Sequence, residues 1–161
     1  MLALLMPAVL ALSGCQLSPV YAGGSSSAPA TLLADIAIAP IPERSGFMVR
    51  QALAEQFGLG AASPRYRLDV TLDDQITAFG VRGDSSAARE RRTLRARYRL
   101  VDAATGAVLV DDTAAADAGI DRVSSNFAVV AAETTALERL SVDIARQISA
   151  RLARYARAGK G

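Results

Sequence analysis

Two stretches of this 161-residue chain alternate apolar and polar side chains with the period of a β-strand, and this pattern constrains the fold most. Every even position from Tyr66 to Leu72 is apolar, and the odd positions between 65 and 73 are charged or threonine. The even positions from Leu94 to Leu100 are likewise apolar, between odd positions rich in arginine. Successive side chains of a strand point to opposite faces. We therefore expect a sheet with one buried face and one wet face.

The elements before and after these strands are predicted from periodicity and from helix-breaking residues. Residues 32–39 are predicted to form a first strand that Pro40 and Pro42 end. A first helix then runs from about Pro42 to Phe57, where Gly58 stops it. The second strand is extended toward Phe79, and residues 80–88 are predicted to be a loop.

The C-terminal half is predicted to contain a hairpin, an irregular stretch and a long helix. Residues 102–106 are predicted to form the hairpin turn, and residues 107–113 to return as an antiparallel strand. Val108 and Val110 are expected to face the core, although Leu109 leaves the phase of this strand open. Residues 114–123 are predicted to be irregular. The last helix begins at a Ser124 or Ser125 cap and continues to about Tyr155. Its predicted buried stripe is long and recurs at helical spacing: Phe127, Val130, Ala131, Thr134, Leu137, Leu140, Ile144, Ile148 and Leu152.

The order strand, helix, three strands, helix predicts an α+β fold. Two helices must bury their apolar stripes on one face of a mostly antiparallel four-stranded sheet, which gives a two-layer sandwich. The first strand is expected to pair parallel to a neighbour, because a helix crossover follows it.

The N-terminus is predicted to be a targeting segment rather than part of this domain. Residues 1–12 are apolar apart from Pro7, which is the length of a signal-peptide core and too short to span a membrane. Leu12-Ser13-Gly14-Cys15 follows, and this run resembles the bacterial lipobox. The resemblance implies cleavage before Cys15 and lipidation of its thiol. We divide the chain into a signal peptide (1–14), a flexible tether (15–30), an α+β domain (31–157) and a tail (158–161).

Other interpretations of the N-terminus remain open. Cys15 could be a chance cysteine after a secretory signal, or a buried cysteine of a cytosolic protein. No Lys or Arg precedes the apolar run, which departs from the usual signal pattern. Gln16 follows the cysteine. In lipoprotein families an aspartate at this place tends to retain the protein at the inner membrane, so its absence favours the outer membrane.

Composition excludes much catalytic chemistry. The chain has no His and one Cys, so it cannot build a Ser-His-Asp site, a Cys-His pair, an imidazole metal site or an internal disulfide. Asp73-Asp74 and Asp111-Asp112 remain formal candidates for an acid–base or cation site, but no glycine-bearing calcium loop surrounds them, and solvated charges at strand ends are the favoured interpretation. We predict no catalytic residue, no metal and no cofactor. A net charge of +2 is too small to argue for nucleic acid.

Several short runs together resemble the LPS-assembly lipoprotein family, LptE-like, in its alphaproteobacterial form. After the lipobox come Pro19-Val20-Tyr21, Ile36-Ala37-Ile38 and Pro42-Glu43-Arg44. They are followed in the same order by Tyr66-Arg67-Leu68, then Ala96-Arg97-Tyr98-Arg99-Leu100-Val101-Asp102, Thr105-Gly106, Ser125-Asn126-Phe127-Ala128 and Ala131-Ala132-Glu133. A typical member carries an aromatic residue shortly after the cysteine, where this chain has Gln16-Leu17-Ser18.

The resemblance implies a non-enzymatic, lipid-anchored outer-membrane protein that faces the periplasm. Such a protein sits inside the β-barrel translocon LptD, helps to assemble it, and takes part in placing lipopolysaccharide in the outer leaflet. Two alternatives stay open. One is a periplasmic auxiliary lipoprotein of an ABC-type lipid transporter, and the other is a carboxylate-dependent hydrolase of envelope glycans.

The arginines of the third strand are the candidate ligand-binding residues. Arg91, Arg95, Arg97 and Arg99 occupy odd positions and would line one sheet face in steps of about 7 Å for each two residues. Arginine suits bidentate contact with phosphate, and the lipid A part of lipopolysaccharide carries phosphates. The alternative is a solvated strand face on which these arginines pair with Asp69, Asp73 or Asp111. Nucleic acid is disfavoured, because few aromatic residues are interleaved with the arginines.

Overall fold

The computed structural model of the chain describes residues 27–58, 60–81 and 87–159. The elements in chain order are α1 (Ala28–Ala34), β1 (Ile36–Ile38), α2 (Glu43–Phe57), β2 (Tyr66–Val81), β3 (Ala87–Asp102), β4 (Val108–Asp121) and α3 (Asn126–Ala158). Cys15 and the lipobox lie outside the described residues. Within them, no helix combines the length and the apolarity that crossing a membrane requires.

The four strands form one open sheet in the order β1-β2-β3-β4. β1 pairs parallel to β2, and the other two pairings are antiparallel, so the prediction of a mostly antiparallel α+β sheet is confirmed. The long β2–β3 pairing runs from Tyr66 opposite Asp102 to Val81 opposite Ala87. We call the end of the sheet near Tyr66 and Asp102 the proximal end, and the end near Phe79 and Asp121 the distal end.

The core lies between the helices and the even-numbered face of the sheet. Leu68, Leu94 and Leu100 of the strands are fully buried there. Ile144 and Ile148 of α3 are also fully buried, as the helical spacing predicted. Burial of such a side chain stabilises the fold by about 1.5–3 kcal/mol, so this shared layer holds helices and sheet together.

A third helix, α1, corrects the predicted start of the domain. Residues 32–34 were expected to be strand and residues 28–30 to be tether, but α1 covers both, and the first strand is only Ile36–Ile38. Ser27 caps α1 by accepting a hydrogen bond from the Ala30 amide at 3.3 Å, and Pro29 occupies the first turn. Leu33 then packs into the core, so a favourable cap and one apolar anchor are sufficient for a two-turn helix here.

β4 is longer than predicted, and its first residue, Val108, lies on the face of the sheet opposite to the predicted one. Residues 114–121 were expected to be irregular, yet β4 continues to Asp121 and pairs with β3 throughout. Val108 was expected in the core but is 52% exposed, whereas Val110 is buried. The register of β3 with β4 shifts by one residue between Leu100 and Val101, and this irregularity reverses the face on which Val108 lies.

The N-terminal turns of α3 also depart from the prediction. Ser125 caps the helix as expected, accepting a hydrogen bond from the Ala128 amide at 3.4 Å. Phe127 and Val130, however, are 85% and 57% exposed, so the predicted stripe is buried only from Leu137 onward. In α2, Phe47 is likewise exposed while Val49 and Leu53 are fully buried. Periodicity therefore identified these helices correctly but assigned too many side chains to the core.

Candidate functional site

The face of the sheet opposite the helices is not covered by any other described element, and we call it the open face. It is formed by the odd-numbered positions of the three long strands, since the even positions face the core. Its central residues are Arg67, Asp69, Thr71, Asp73, Arg91, Thr93, Arg95, Arg97, Arg99, Asp111, Thr113, Ala115 and Asp117. The open face thus carries both positively and negatively charged side chains, with a row of arginines along its middle strand, β3.

The four predicted arginines all lie on this face. β3 is an inner strand, so Arg91, Arg95, Arg97 and Arg99 run down the centre of the sheet between β2 and β4. The side chains of Arg91, Arg97 and Arg99 are 61%, 69% and 52% exposed. The geometric part of the prediction, a shared accessible face, is therefore met.

Most of these arginines already have a carboxylate partner. Arg97 donates from Nε and Nη2 to the two carboxylate oxygens of Asp111, at 3.2 and 3.0 Å. Arg99 lies 4.0 Å from Asp69, whose carboxylate also accepts bonds of 2.8 and 3.2 Å from Arg67. These two clusters are the pairing that the solvated-face alternative predicted.

The pairing weakens toward the distal end. Arg91 is 3.8 Å from the carboxylate of Asp117, beyond hydrogen-bond length, and its guanidinium lies 5.7 Å from the centre of the Phe79 ring. Arg95 lies opposite Asp73 and Ala115, yet it has no ion pair or hydrogen bond with any residue that the structure describes. The Asp73 carboxylate instead accepts a bond from Gln75 at 3.0 Å. Arg95 is therefore the arginine of this row most available to a bound anion.

Hydrogen bonds lower the pKa of two adjacent carboxyls on β4, those of Asp111 and Asp112. The hydrogen bond from Arg97 is the main reason that the pKa of Asp111 lies below its usual value. The pKa of Asp112 is lowered first by the backbone amide of Thr113 and then by the side chain of Arg151. Both carboxyls therefore stay ionised at neutral pH and act as fixed charges rather than proton donors.

The adjacent aspartates cannot act as acid–base pairs, because neighbours in a strand point to opposite faces. Asp74 faces the helices and holds Arg92 at 2.8 and 2.6 Å, while Asp73 lies on the open face. Asp112 is on the helix side with Arg151 at 3.0 Å, and Asp111 is on the open face. The described residues also contain no cluster of three or more metal-ligating side chains.

Some residues of the face were not found from the sequence. Asp117 and Asp121, which face Arg91 and Arg89, were missed because their segment was predicted to be irregular. The signal available was the alternation of polar or small residues with apolar ones, namely Asp117, Gly119 and Asp121 with Ala118 and Ile120. Alanine and glycine have little strand propensity, so this alternation only weakly indicates a strand. The arrangement as a whole places guanidinium groups, the kind of group that pairs with phosphate, beside carboxylates that already occupy most of them.

Comparison with known proteins adds a family match and related folds. A family model described as LptE, Lipopolysaccharide-assembly, matches residues 33–152. A lipoprotein from Caulobacter crescentus has a similar structure, with a TM-score of 0.69 and 28% identity over 84% of this chain and 98% of that chain. A search of curated protein sequences finds no significant match.

Two more distant structures share the fold. Lipoprotein B from Nitrosomonas europaea has a TM-score of 0.59 at 14% identity, over 77% of this chain and 84% of that one. A minor lipoprotein from Acinetobacter baumannii has a TM-score of 0.58 at 13% identity, over 75% of this chain and 92% of that one. At such identities the likeness concerns the fold alone.

Proposed function

Because the chain belongs to the LptE family of lipopolysaccharide-assembly proteins, we propose that it is an outer-membrane lipoprotein anchored through Cys15 on the periplasmic side. In this proposal it assembles with an LptD-type β-barrel translocon and assists the insertion of lipopolysaccharide into the outer leaflet. The family match over residues 33–152 and the similarity to a Caulobacter lipoprotein support the envelope role. The lipobox-like run that ends at Cys15 supports the lipid anchor.

The observation that carries a direct role in handling lipopolysaccharide is the row of arginines on the open face. Lipid A presents phosphates, and Arg95 faces solvent with no partner among the described residues, while Arg91 is held only loosely. A phosphate that contacts Arg95 could recruit Arg97, which lies one step away on the same face, or Arg91, which lies two steps away. The protein would then act by binding and positioning its ligand, without catalysing a reaction.

The partnership is tested by co-purification from outer membrane solubilised in mild detergent. We expect the chain to be recovered with a large β-barrel protein, and its depletion to prevent display of lipopolysaccharide at the cell surface. Recovery of the chain alone from outer membranes would contradict the proposal. Recovery with an ATPase complex from inner membranes would instead favour the auxiliary role in an ABC-type lipid transporter.

The ligand role is tested by reversing charge at Arg95. Arg95→Glu breaks no ion pair among the described residues but places a carboxylate opposite Asp73, so we expect a small fall in melting temperature and roughly 10-fold weaker binding of purified lipopolysaccharide. Arg97→Glu should weaken binding as well, with a small loss of stability because the pair with Asp111 is lost. Arg146→Glu, an exposed arginine on the outer side of α3, is the matched control. Equal binding by Arg95→Glu and Arg146→Glu would leave the open face as a solvated surface only.

A further inference from the structure

The free edge of β4 has two halves that differ in how their backbone groups are satisfied. β4 is the last strand of the sheet, so one side of its backbone has no neighbouring strand within the part of the chain that the structure describes. The amide of Asp102, the last residue of β3, donates to the Ala107 carbonyl on the β4 side, and the amide of the next residue, Ala103, donates to the Arg65 carbonyl on the β2 side. The backbone groups of the even-numbered residues of β3 therefore point toward β4. Their partners in β4 are even residues as well. The backbone groups of the odd residues of β4 therefore point outward at the edge.

Side chains of the protein itself occupy two of these outward groups near the middle of the strand. The carboxylate of Asp112 accepts a hydrogen bond from the Thr113 amide at 2.8 Å. The amide nitrogen of Gln147, on α3, donates to the Ala115 carbonyl at 3.1 Å. These contacts block strand pairing at residues 113 and 115 in the way that natural edge strands are protected.

The distal half of the edge lacks such protection. Asp117 and Gly119 each present an outward N–H and C=O, and no described side chain bonds to them. Residues 114–119 are small apart from Asp117, with no Lys or Pro to prevent a strand from docking. A Cβ added at Gly119 would meet nothing within 4 Å, so another backbone can approach closely there. We call residues 117–121 the distal edge.

We infer that the distal edge is a docking site for an extended polypeptide segment that carries arginine or lysine, which adds to the sheet as a fifth strand beside β4. The charge of the edge selects this partner. β4 contains four aspartates and no cationic residue, and the side chains of Asp117 and Asp121 are 62% and 78% exposed. β3, the strand that pairs with its inner side, is rich in arginine, so a basic strand outside would continue the same alternation of charge.

A second copy of the chain fits this edge less well. Two β4 strands pairing antiparallel about Ala118 would place each Asp117 opposite a Gly119 and diagonally across from the other Asp117 on the same face. Like charges so placed disfavour the pairing. The inference concerns a polypeptide partner and does not depend on lipopolysaccharide binding by the arginine row.

The test uses the full-length chain in detergent and a fluorescent synthetic peptide with the sequence of residues 89–99, a basic segment that already pairs with β4 on its inner side. Gly119→Pro removes an outward amide without touching the β3 ladder and should weaken peptide binding at least 10-fold. Thr113→Pro is the matched control, since its outward amide is already bonded to Asp112, and it should change binding less than twofold. Circular dichroism checks that both variants are folded.

A charge series separates docking at this edge from general attraction. Asp117→Lys should weaken binding at least 10-fold, while Asp143→Lys, at an exposed acidic residue on α3, should have little effect. Absence of binding to the unaltered chain would overturn the inference, as would equal weakening by Gly119→Pro and Thr113→Pro. Dimerisation of the chain alone, abolished by Gly119→Pro in sedimentation velocity, would also overturn it and assign the edge to a second copy.

Discussion

Arg91 and Arg92 are neighbours in β3, yet their environments are opposite. Arg91 is largely exposed on the open face. The side chain of Arg92 is only 13% exposed, because it points toward the helices. It donates two hydrogen bonds to the Asp74 carboxylate and a third to the Glu133 carbonyl at 3.0 Å. A half-buried pair of this kind ties β3 to α3, and removing one partner would leave the other charge poorly solvated. The alternation of side chains along the strand thus places Arg91 on the open face as a binding candidate and Arg92 on the helix side as a structural residue.

Tyr98, which faces the core, makes the free energy of unfolding depend on pH. Burial, with a smaller contribution from Asp112, raises the pKa of Tyr98 from 10.0 to about 12. The folded state therefore prefers the protonated phenol, so this contribution is complete below pH 10 and is lost as the pH rises toward 12. We expect the free energy of unfolding to fall across this range by roughly 1–2 kcal/mol more in the unaltered chain than in Tyr98→Phe.

The measurement is urea unfolding at several pH values between 9 and 12. Tyr98→Phe is its own control below pH 10, where the difference between the two proteins should be constant. A difference that stays constant up to pH 12 would contradict the prediction, because the phenol would then titrate equally in the folded and unfolded states.

At the scale of elements, close packing decides where α2 can sit. A Cβ on Gly46 would come within 2.6 Å of the Ile41 carbonyl oxygen, which is backbone and cannot rotate away. Gly46 is buried in the first turns of α2, where the chain leaving β1 crosses the helix. A glycine inside a helix costs about 1 kcal/mol relative to alanine, so here the close approach outweighs helix propensity.

We therefore expect Gly46→Ala to destabilise the domain by about 1–3 kcal/mol, although alanine is the better helix former. Gly60→Ala is the matched control, since a Cβ there meets nothing within 4 Å, and it should be neutral or slightly stabilising. Thermal unfolding followed by circular dichroism compares the three proteins. A Gly46→Ala variant as stable as Gly60→Ala would contradict the prediction, because the backbone at Ile41 would then move aside with no loss of stability.

At the scale of the whole molecule, the described chain begins at the proximal end. Ala28 lines a cleft with Tyr66 and Ala156, so α1 starts beside the beginning of β2 and the end of α3. Cys15 precedes Ser27 by twelve residues, which span at most about 40 Å when extended. β2, with 16 residues, is about 50 Å long. A lipid on Cys15 would therefore hold the proximal end nearer to the membrane and leave the distal end farther from the anchor.

The anchor itself is tested by Cys15→Ser expressed from the full sequence. We expect the unaltered chain in the membrane fraction and Cys15→Ser in the soluble fraction or retained as an uncleaved precursor, because serine cannot form the thioether. Ser18→Ala, three residues later, should fractionate like the unaltered chain. Equal membrane association of both variants as cleaved species of the same size would contradict lipidation at Cys15.

Local patterns in the chain were enough to predict the sheet and most of its helices and strands. The alternation in β2 and β3 established which face is buried, and the helical spacing from Leu137 to Leu152 identified α3, because both signals come from large apolar side chains. The same alternation placed Arg91, Arg95, Arg97 and Arg99 on one face. The lack of histidine excluded imidazole chemistry without any knowledge of the fold.

The ends of the elements and the pairing of their charges depend instead on contacts between segments that are distant in the chain. Alanine, glycine and aspartate give β4 little intrinsic strand preference, so its last eight residues are strand because β3 offers them a hydrogen-bonding partner. α1 required the packing of Leu33, and Phe127 is exposed because α3 begins before the core does. The pairing of Arg97 with Asp111, and the lack of a partner for Arg95 among the described residues, depend on register across strands. Register joins residues far apart in the chain, which no local pattern specifies.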